Sequence, residues 1–263
     1  MEWTLIGNSG LQFVNLPISL EEGIEREKIS IGYWEEEGSG NKYELALPDT
    51  NPETGEWYDI LTGDPYPADE VVDLNGREAI ALLERAWIPL PVYAKKVYSR
   101  EGEPQFDEGP MGWCRGRLDP VPGREGEYHL TLLFNTSIRN ELSGDIHLTL
   151  TSNDKDSIFE LATSIKEVGG LLGQKWFQKG VEKIVNNRLK RVGIPDYKTI
   201  NPLLYQGAYL LLLKILERSG QFPKFRVFQG EETEPPIEVN LILDIGNSRT
   251  TGLLIEERDG EGR

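Results

Sequence analysis

Residues 237–256 read IEVNLILDIGNSRTTGLLIE and contain the most informative pattern of the chain. An apolar run ends on Asp244, a short polar segment begins with Gly246, and a second apolar run returns through Leu253. Apolar runs bounded by glycine and small polar residues are typical of strands joined by a tight turn. The sequence therefore predicts a β-hairpin over these residues.

The turn of this hairpin has the composition of a phosphate-binding loop. Gly246 leaves room for a ligand beside the backbone, and successive N–H groups in a tight turn can form an anion-binding nest. Donors that suit phosphate oxygens follow: Asn247, Ser248, Arg249 and Thr250. Asp244 stands at the strand end, where a carboxylate can hold hydrated Mg²⁺. An ordinary hairpin, with Asp244 capping the turn, explains the same composition, so turn chemistry leaves both interpretations open.

The segment Asp-Ile-Gly-Asn-Ser-Arg-Thr at 244–250 resembles the first phosphate loop of the actin, heat-shock chaperone and sugar kinase ATPase superfamily. It is also similar to the opening of type III pantothenate kinases. The resemblance implies that Asp244 organises metal and water, and that the glycine and hydroxyl residues hold ATP phosphates. In the superfamily this hairpin opens the nucleotide-binding domain, whereas only residues 257–263 follow it here. We therefore expect ATP and Mg²⁺ to bind only in a longer protein, and no catalytic residue within this chain.

Three other segments resemble the bacterial virulence factor SrfB family: Trp3–Phe13, Trp87–Pro91 and Gly109–Trp113. Residues 239–256 match the point where members of that family enter an actin-like ATPase region. Because those members are several times longer, the resemblance implies that this chain is an N-terminal portion of a longer protein. Its expected binding partner is then the rest of the same protein. The family name records an association with virulence, and no biochemical activity follows from it.

Two alternative functions remain open. In the first, residues 1–230 form a non-catalytic protein-interaction module and the ATPase region is regulatory or inactive. In the second, the protein is a small-metabolite kinase of the type III pantothenate kinase kind, which is disfavoured because such kinases begin with this hairpin. A second Gly-Asn-Ser occurs at 7–9, but Leu5 replaces the aspartate there, so we expect a structural turn.

The remaining pattern predicts an α+β fold with a β-rich N-terminal module, a helical or α/β middle region and the C-terminal hairpin. Residues 1–151 contain short aromatic or β-branched runs between turns, and one helix over 76–87. Residues 152–230 show helical spacing around 158–168, 176–189 and 202–218, followed by a strand. We expect Asn153 or Asp154 to cap the first of these helices. Residues 231–236, rich in glutamate and proline, predict a linker. The resemblance of residues 244–250 implies that 237–263 begin the actin-like domain.

The net charge is −16, which argues against nucleic-acid binding because a phosphate backbone would be repelled. The charge is uneven: residues 1–127 hold 26 acidic and 11 basic side chains, whereas residues 128–229 hold 9 and 14. Six basic residues lie along the second predicted helix of the middle region and at its two ends: Lys175, Lys179, Lys183, Arg188, Lys190 and Arg191. A solvated helix face explains them, and the functional alternative is a docking site for an acidic protein partner.

Cysteine and histidine content limits the other possible sites. A single cysteine, Cys114, forms no internal disulfide, and with only two histidines no zinc site is expected. Arg115 and Arg117 could activate the Cys114 thiol, but we expect a packed cysteine. No apolar run reaches the length of a membrane span, so a reducing, cytoplasmic setting is expected.

Overall fold

The structure is a computed structural model that describes residues 2–20, 24–35, 42–98, 104–106, 112–139, 150–151, 157–192, 201–228, 239–245 and 250–256. The chain divides into two compact units, Met1–Phe228 and Gln229–Arg263. The described residues form strands and four α-helices, which confirms a mixed α+β fold. None of the helices in the described chain is both long and apolar enough to cross a membrane.

The helices of the first unit are α1 (Gly76–Leu83), α2 (Ile165–Leu172), α3 (Lys175–Val192) and α4 (Leu204–Arg218). Its strands are β1 (Glu2–Ile6), β2 (Leu11–Ser19), β3 (Lys28–Glu35), β4 (Tyr43–Ala46), β5 (Pro48–Thr50), β6 (Trp57–Asp59), β7 (Val72–Asn75), β8 (Ile88–Pro89), β9 (Val92–Tyr98), β10 (Pro104–Phe106), β11 (Cys114–Pro120), β12 (Glu127–Asn135), β13 (Ile138–Arg139), β14 (Leu150–Thr151), β15 (Ile158–Leu161) and β16 (Lys224–Phe228). The second unit contains β17 (Val239–Ile245) and β18 (Thr250–Glu256).

Two larger sheets and several short ladders make up the β-structure of the first unit. The five-stranded sheet has the order β1-β16-β15-β9-β10, in which β1 and β16 are parallel. The four-stranded sheet has the order β2-β12-β11-β8 and is antiparallel. A three-stranded sheet, β4-β3-β7, and the pairs β5-β6 and β13-β14 complete it.

The expected boundary near residue 151 does not divide the fold. Strands β1 and β9 come from the predicted N-terminal module, whereas β15 and β16 come from the predicted helical region, and all four lie in one sheet. Local periodicity reports the type of each element but not which distant strand it pairs with. The two predicted regions therefore form a single unit.

Four aromatic side chains join the two larger sheets. Trp113 lies immediately before β11, Phe134 lies on β12, and Phe159 and Phe225 lie on β15 and β16. The ring centroids of Trp113 and Phe159 are 4.6 Å apart, and those of Phe134 and Phe225 are 4.5 Å apart. The indole N–H of Trp113 donates to the Val92 carbonyl at 2.7 Å, so its polar atom is satisfied inside the core.

Helix α4 is buried on nearly every side. Twelve of its fifteen residues are buried, and it packs against α1, α3, β3 and β7. The ring centroids of Tyr209, on this helix, and Phe177 are 4.7 Å apart. The Tyr209 hydroxyl donates to the Pro89 carbonyl at 2.9 Å. A helix that is apolar around its whole circumference requires such a surrounding.

One buried carboxylate is neutralised by the end of α4. Glu27 is 2% exposed, and its carboxylate pairs with the guanidinium of Arg218 and lies 3.4 Å from the Lys214 ammonium. A buried charge needs a partner of opposite sign. The backbone carbonyl of Glu27 also accepts from the N–H of Gly76, at the start of α1. Glu27 therefore ties β3 to two helices.

The predicted first helix of the middle region begins later than its apolar spacing indicated. Residues 158–161 form β15, between β9 and β16 in the five-stranded sheet, and the helix α2 begins at Ile165. Ser164 caps it, with Glu167 completing a capping box; Asn153 and Asp154, the predicted caps, lie outside the described residues. Three apolar residues within a four-residue segment do not distinguish a strand from a helix, so pairing with the sheet decides.

The Cys114 thiol belongs to the core. Its side chain is fully buried, and desolvation raises its pKa well above the ordinary value. Burial disfavours the thiolate, which is the reactive form of cysteine. The cysteine is packed, as expected, and Arg115 and Arg117 do not activate it.

Replacing Gly207 by alanine should destabilise the first unit. A Cβ at Gly207 would overlap the Ile31 side chain of β3, whereas a Cβ at Gly180 on α3 would meet no atom within 4 Å. We expect Gly207→Ala to lower the free energy of unfolding by about 1–3 kcal/mol through overpacking. Gly180→Ala, the matched control, should raise it by up to about 1 kcal/mol through helix propensity. Urea denaturation measures both, and equal effects would contradict the close approach of α4 to β3.

Alkaline pH should weaken the fold through the buried thiol. Because the pKa of the Cys114 thiol is raised in the folded state, the thiol ionises first in the unfolded chain. Above the thiol's unfolded pKa of about 8.5, ionisation therefore stabilises the unfolded state. The thiol then removes about 1.4 kcal/mol of unfolding free energy per pH unit until the folded pKa is reached. Denaturation between about pH 7 and 10 should show a shallower decline in Cys114→Ala than in the wild type. Identical slopes would show that the thiol is not protected by the fold.

Candidate functional site

The predicted phosphate hairpin is present as two paired strands. β17 and β18 are antiparallel, with Asp244 opposite Thr251 and Ile245 opposite Thr250 in the last two positions of the ladder. Residues 246–249 connect the strands, so Gly246, Asn247, Ser248 and Arg249, four of the predicted phosphate-binding residues, lie outside the described residues. Asp244 and Thr250 belong to the described backbone and flank this connection.

The pairing register of β17 and β18 determines which predicted site residues lie at the same end of the hairpin. Asp244 is the last residue but one of β17, and Thr250 is the first residue of β18. The ladder therefore brings the backbones of the predicted metal residue and of one predicted phosphate residue to the same end of the hairpin. By residue type, a carboxylate and a hydroxyl at the two ends of a short connection suit a phosphate with Mg²⁺.

The second Gly-Asn-Ser segment, at residues 7–9, is a structural turn. The Ser9 hydroxyl donates to the Ile6 carbonyl at 2.8 Å, and the Gln12 amide donates to the same carbonyl at 2.7 Å. Asn8 accepts from the N–H of Ile138 at 2.9 Å, and the Thr136 hydroxyl donates to Gly10 at 2.8 Å. These polar groups are occupied within the protein.

This turn does not close a hairpin. The strands on either side of it, β1 and β2, do not pair with each other, because β1 pairs with β16 and β2 pairs with β12. Asn8 has φ of 60° and Gly10 has φ of 83°, which passes the chain from one sheet to the other. The hydrogen bonds from residues 136 and 138 hold the turn in place of a cross-strand ladder.

The basic residues predicted around the second helix lie mainly on the exposed face of α3. Lys175, Lys179 and Lys183 follow one another at intervals of four and are exposed, and no ion pair joins them to another residue of the described chain. Lys190 and Arg191 are also exposed. Arg188 differs, because its guanidinium donates to the Glu84 carbonyl at 2.5 Å and so binds α3 to the end of α1.

An aromatic side chain adjoins this lysine row. Trp176 is 36% exposed, and its ring lies 6.3 Å from that of the buried Phe177 in an edge-to-face arrangement. Lysines spaced by four residues repel one another on a helix surface by about 0.2–0.5 kcal/mol per pair. The row therefore costs the isolated helix stability.

The structure also reveals a groove that the sequence did not single out. It has a volume of about 720 Å³ and lies between the tip of the β5–β6 hairpin and the segment at 63–68. Trp57, Tyr58 and Tyr66 supply its aromatic lining, and Glu56 lies in its wall. One signal was available in the sequence: residues 43–76 hold nine acidic side chains and no lysine or arginine.

The loop that forms the groove is held by a buried aspartate. The carboxylate of Asp59 is fully buried and accepts from the N–H of Leu47 at 2.9 Å and from the indole of Trp34 at 2.9 Å. It also accepts from the N–H of Leu61 at 3.1 Å. Because each oxygen has a donor, Asp59 has a structural role. Among the described residues, no cluster of three or more histidine, cysteine or acidic side chains forms a metal site.

Comparison with known proteins identifies the family. The sequence profile described as virulence factor SrfB matches residues 1–263, the whole of the chain. No curated protein matches the chain, and no solved structure matches it. The match extends the resemblance seen in Trp3–Phe13 and 239–256 to every element described above. The chain therefore belongs to the SrfB virulence factor family.

Proposed function

We propose that the β17–β18 hairpin is a phosphate-binding element through which this SrfB-family protein binds ATP with Mg²⁺. One observation carries the proposal: a short connection that begins with Gly246 joins two strands whose last pairs are Asp244–Thr251 and Ile245–Thr250. The similarity of residues 244–250 to the first phosphate loop of actin-like ATPases supports it.

Each residue of the loop has a proposed role that follows from its chemistry. The Asp244 carboxylate holds Mg²⁺ through coordinated water, because Mg²⁺ dehydrates reluctantly and takes few carboxylates. Gly246 lets the phosphate approach the backbone N–H groups. Ser248 and Thr250 donate hydroxyl hydrogen bonds, Asn247 donates from its amide, and Arg249 adds positive charge. Bound Mg²⁺ would neutralise phosphate charge, and the proposal concerns binding, not hydrolysis.

Replacing Asp244 by asparagine should remove the Mg²⁺ dependence of ATP binding. The change preserves the shape of the side chain but removes its charge, so we expect Mg²⁺–ATP affinity to fall by about tenfold or more, while affinity without Mg²⁺ stays the same. Isothermal titration of the natural protein that contains residues 1–263, with and without Mg²⁺, measures this.

Glu256→Gln provides the matched control for this prediction. Glu256 pairs with Val239 at the opposite end of the same ladder, so its neutralisation changes the charge of the hairpin equally but away from the turn. Its affinity should equal that of the wild type. If Asp244→Asn binds Mg²⁺–ATP as well as Glu256→Gln does, the phosphate-binding role of the hairpin is excluded.

We also propose a second function, protein interaction through the exposed face of α3. One observation favours it: Lys175, Lys179 and Lys183 form no ion pair with the described residues, although their like charges repel one another along the helix. An acidic protein segment would neutralise the row, and Trp176 beside it would add apolar contact. The partner is therefore expected to present carboxylates on an extended or helical segment.

Reversing the charge of Lys179 should separate stability from binding. Lys179→Glu turns the repulsive pairs with Lys175 and Lys183 into attractive ones, each change worth about 0.4–1 kcal/mol. It also turns the attractive spacing with Glu182, at i+3, into a repulsive one of the same size, so α3 should gain about 0.4–1 kcal/mol in total, while affinity for an acidic peptide falls. Urea denaturation measures the first, and anisotropy of a labelled glutamate-rich peptide measures the second. Lys166→Glu, at an exposed position of α2, is the control for net charge and should weaken peptide binding less than Lys179→Glu does. Equal peptide affinities for the two variants would exclude the α3 surface.

A further inference from the structure

We propose that the groove lined by Trp57, Tyr58 and Tyr66 docks a basic peptide segment of a protein partner, with an arginine side chain against its aromatic wall. The proposal is independent of the nucleotide site and of the lysine row on α3. It depends on the shape of the groove, the rigidity of its walls and the charge around it.

The shape of the groove suits one or two large side chains. Its volume of about 720 Å³ lies in the range of ligand-binding clefts. Trp57 and Tyr58 are half-buried and line the groove, as does the buried Tyr66. Pro65 and Ala68 complete an apolar wall, and Thr54 and Glu56 supply polar groups on the other side.

The walls of the groove are held in place before any ligand binds. The N–H of Tyr66 donates to the Trp57 carbonyl at 2.9 Å, which joins the two sides of the groove. The Tyr66 hydroxyl accepts from the N–H of Tyr33 at 2.8 Å, and its ring contacts Trp34 at 5.0 Å. Gly32 is required below it, because a Cβ there would overlap the phenol. A preorganised site loses little free energy to ordering when its ligand binds.

The charge around the groove selects a cationic occupant. Residues 43–76 hold nine acidic side chains and no lysine or arginine. Glu56 lines the groove, and Glu53 and Asp64 are chain neighbours of the lining residues Thr54 and Pro65. All three carboxylates are exposed and form no ion pair with another residue of the described chain. Carboxylates around an aromatic wall attract a cation twice, through charge and through the ring quadrupole.

Two features favour an arginine-bearing peptide over a small cation. Ile60 and Leu61 are 51% and 41% exposed on the turn between β6 and Gly63, which lines the groove, and this turn offers apolar contact to a chain longer than one residue. A planar guanidinium can lie flat on an indole ring such as that of Trp57 and donate two parallel hydrogen bonds to one carboxylate, whereas an ammonium has no flat face and a metal ion has no hydrogen to donate. Exposed apolar side chains beside an aromatic groove are typical of protein interaction sites.

The test uses a fluorescein-labelled peptide of alternating arginine and serine, measured by anisotropy against the whole chain. Glu53→Gln/Glu56→Gln should weaken binding by about fivefold, because two exposed attractions are lost. Glu125→Gln/Glu182→Gln changes the net charge equally at exposed carboxylates outside the groove and should weaken binding by less than about twofold. Equal weakening by the two double variants would overturn the proposal, because the peptide would then sense only overall charge.

Two further measurements test the aromatic wall. Trp57→Leu keeps an apolar side chain but removes the ring, and it should weaken arginine-peptide binding by about threefold. Its thermal melt, followed by circular dichroism, verifies that the first unit remains folded. A peptide with citrulline in place of arginine keeps the planar shape without charge and should bind at least about fivefold more weakly. Equal binding of citrulline and arginine peptides, or full affinity in folded Trp57→Leu, would refute the arginine site.

Discussion

The burial of α4 on nearly every side is the constraint on which the first unit depends. Twelve of its fifteen residues avoid water, so the helix is stable only when α1, α3, β3 and β7 surround it together. Gly207 permits its close approach to Ile31, and its last turn neutralises the buried Glu27. Because these neighbours come from both halves of residues 1–228, the chain must fold this unit as one body.

The surfaces proposed for function are those that this core does not use. The lysine row of α3 is opposite the face that packs on the core, and the groove at Trp57 belongs to a loop anchored by the buried Asp59. One surface is basic and the other acidic, so they select partners of opposite charge. The β17–β18 hairpin forms its own unit, and its proposed ligand is a nucleotide phosphate. In this proposal, an SrfB-family chain carries two interaction surfaces on its first unit and a nucleotide-binding element on its second unit.

Periodicity predicted most elements because their apolar spacing is long and regular. α1, α3 and α4 lie where the spacing indicated helices, and the strand β12 shows period-two burial, with Leu130, Leu132 and Phe134 buried. Prediction failed at 158–161, where a short apolar run is compatible with either helix or strand, and Phe159 is held in the sheet by Trp113. The groove was missed because Trp57 and Tyr66 meet only through a turn and through contacts of Tyr66 with β3.

The sequence by itself determined most of the elements and the family resemblance, and it carries the similarity of 244–250 to a phosphate loop, because these depend on residue types at short spacing. Only the tertiary structure decided that β1 pairs with β16, that β9 pairs with β15, and that one unit extends to Phe228. The same holds for Cys114, whose thiol is inert because the fold buries it, not because of its neighbours in the chain. Strand pairing and burial depend on which distant apolar faces cover one another, and the free energy of that packing belongs to the assembled core and to no single segment.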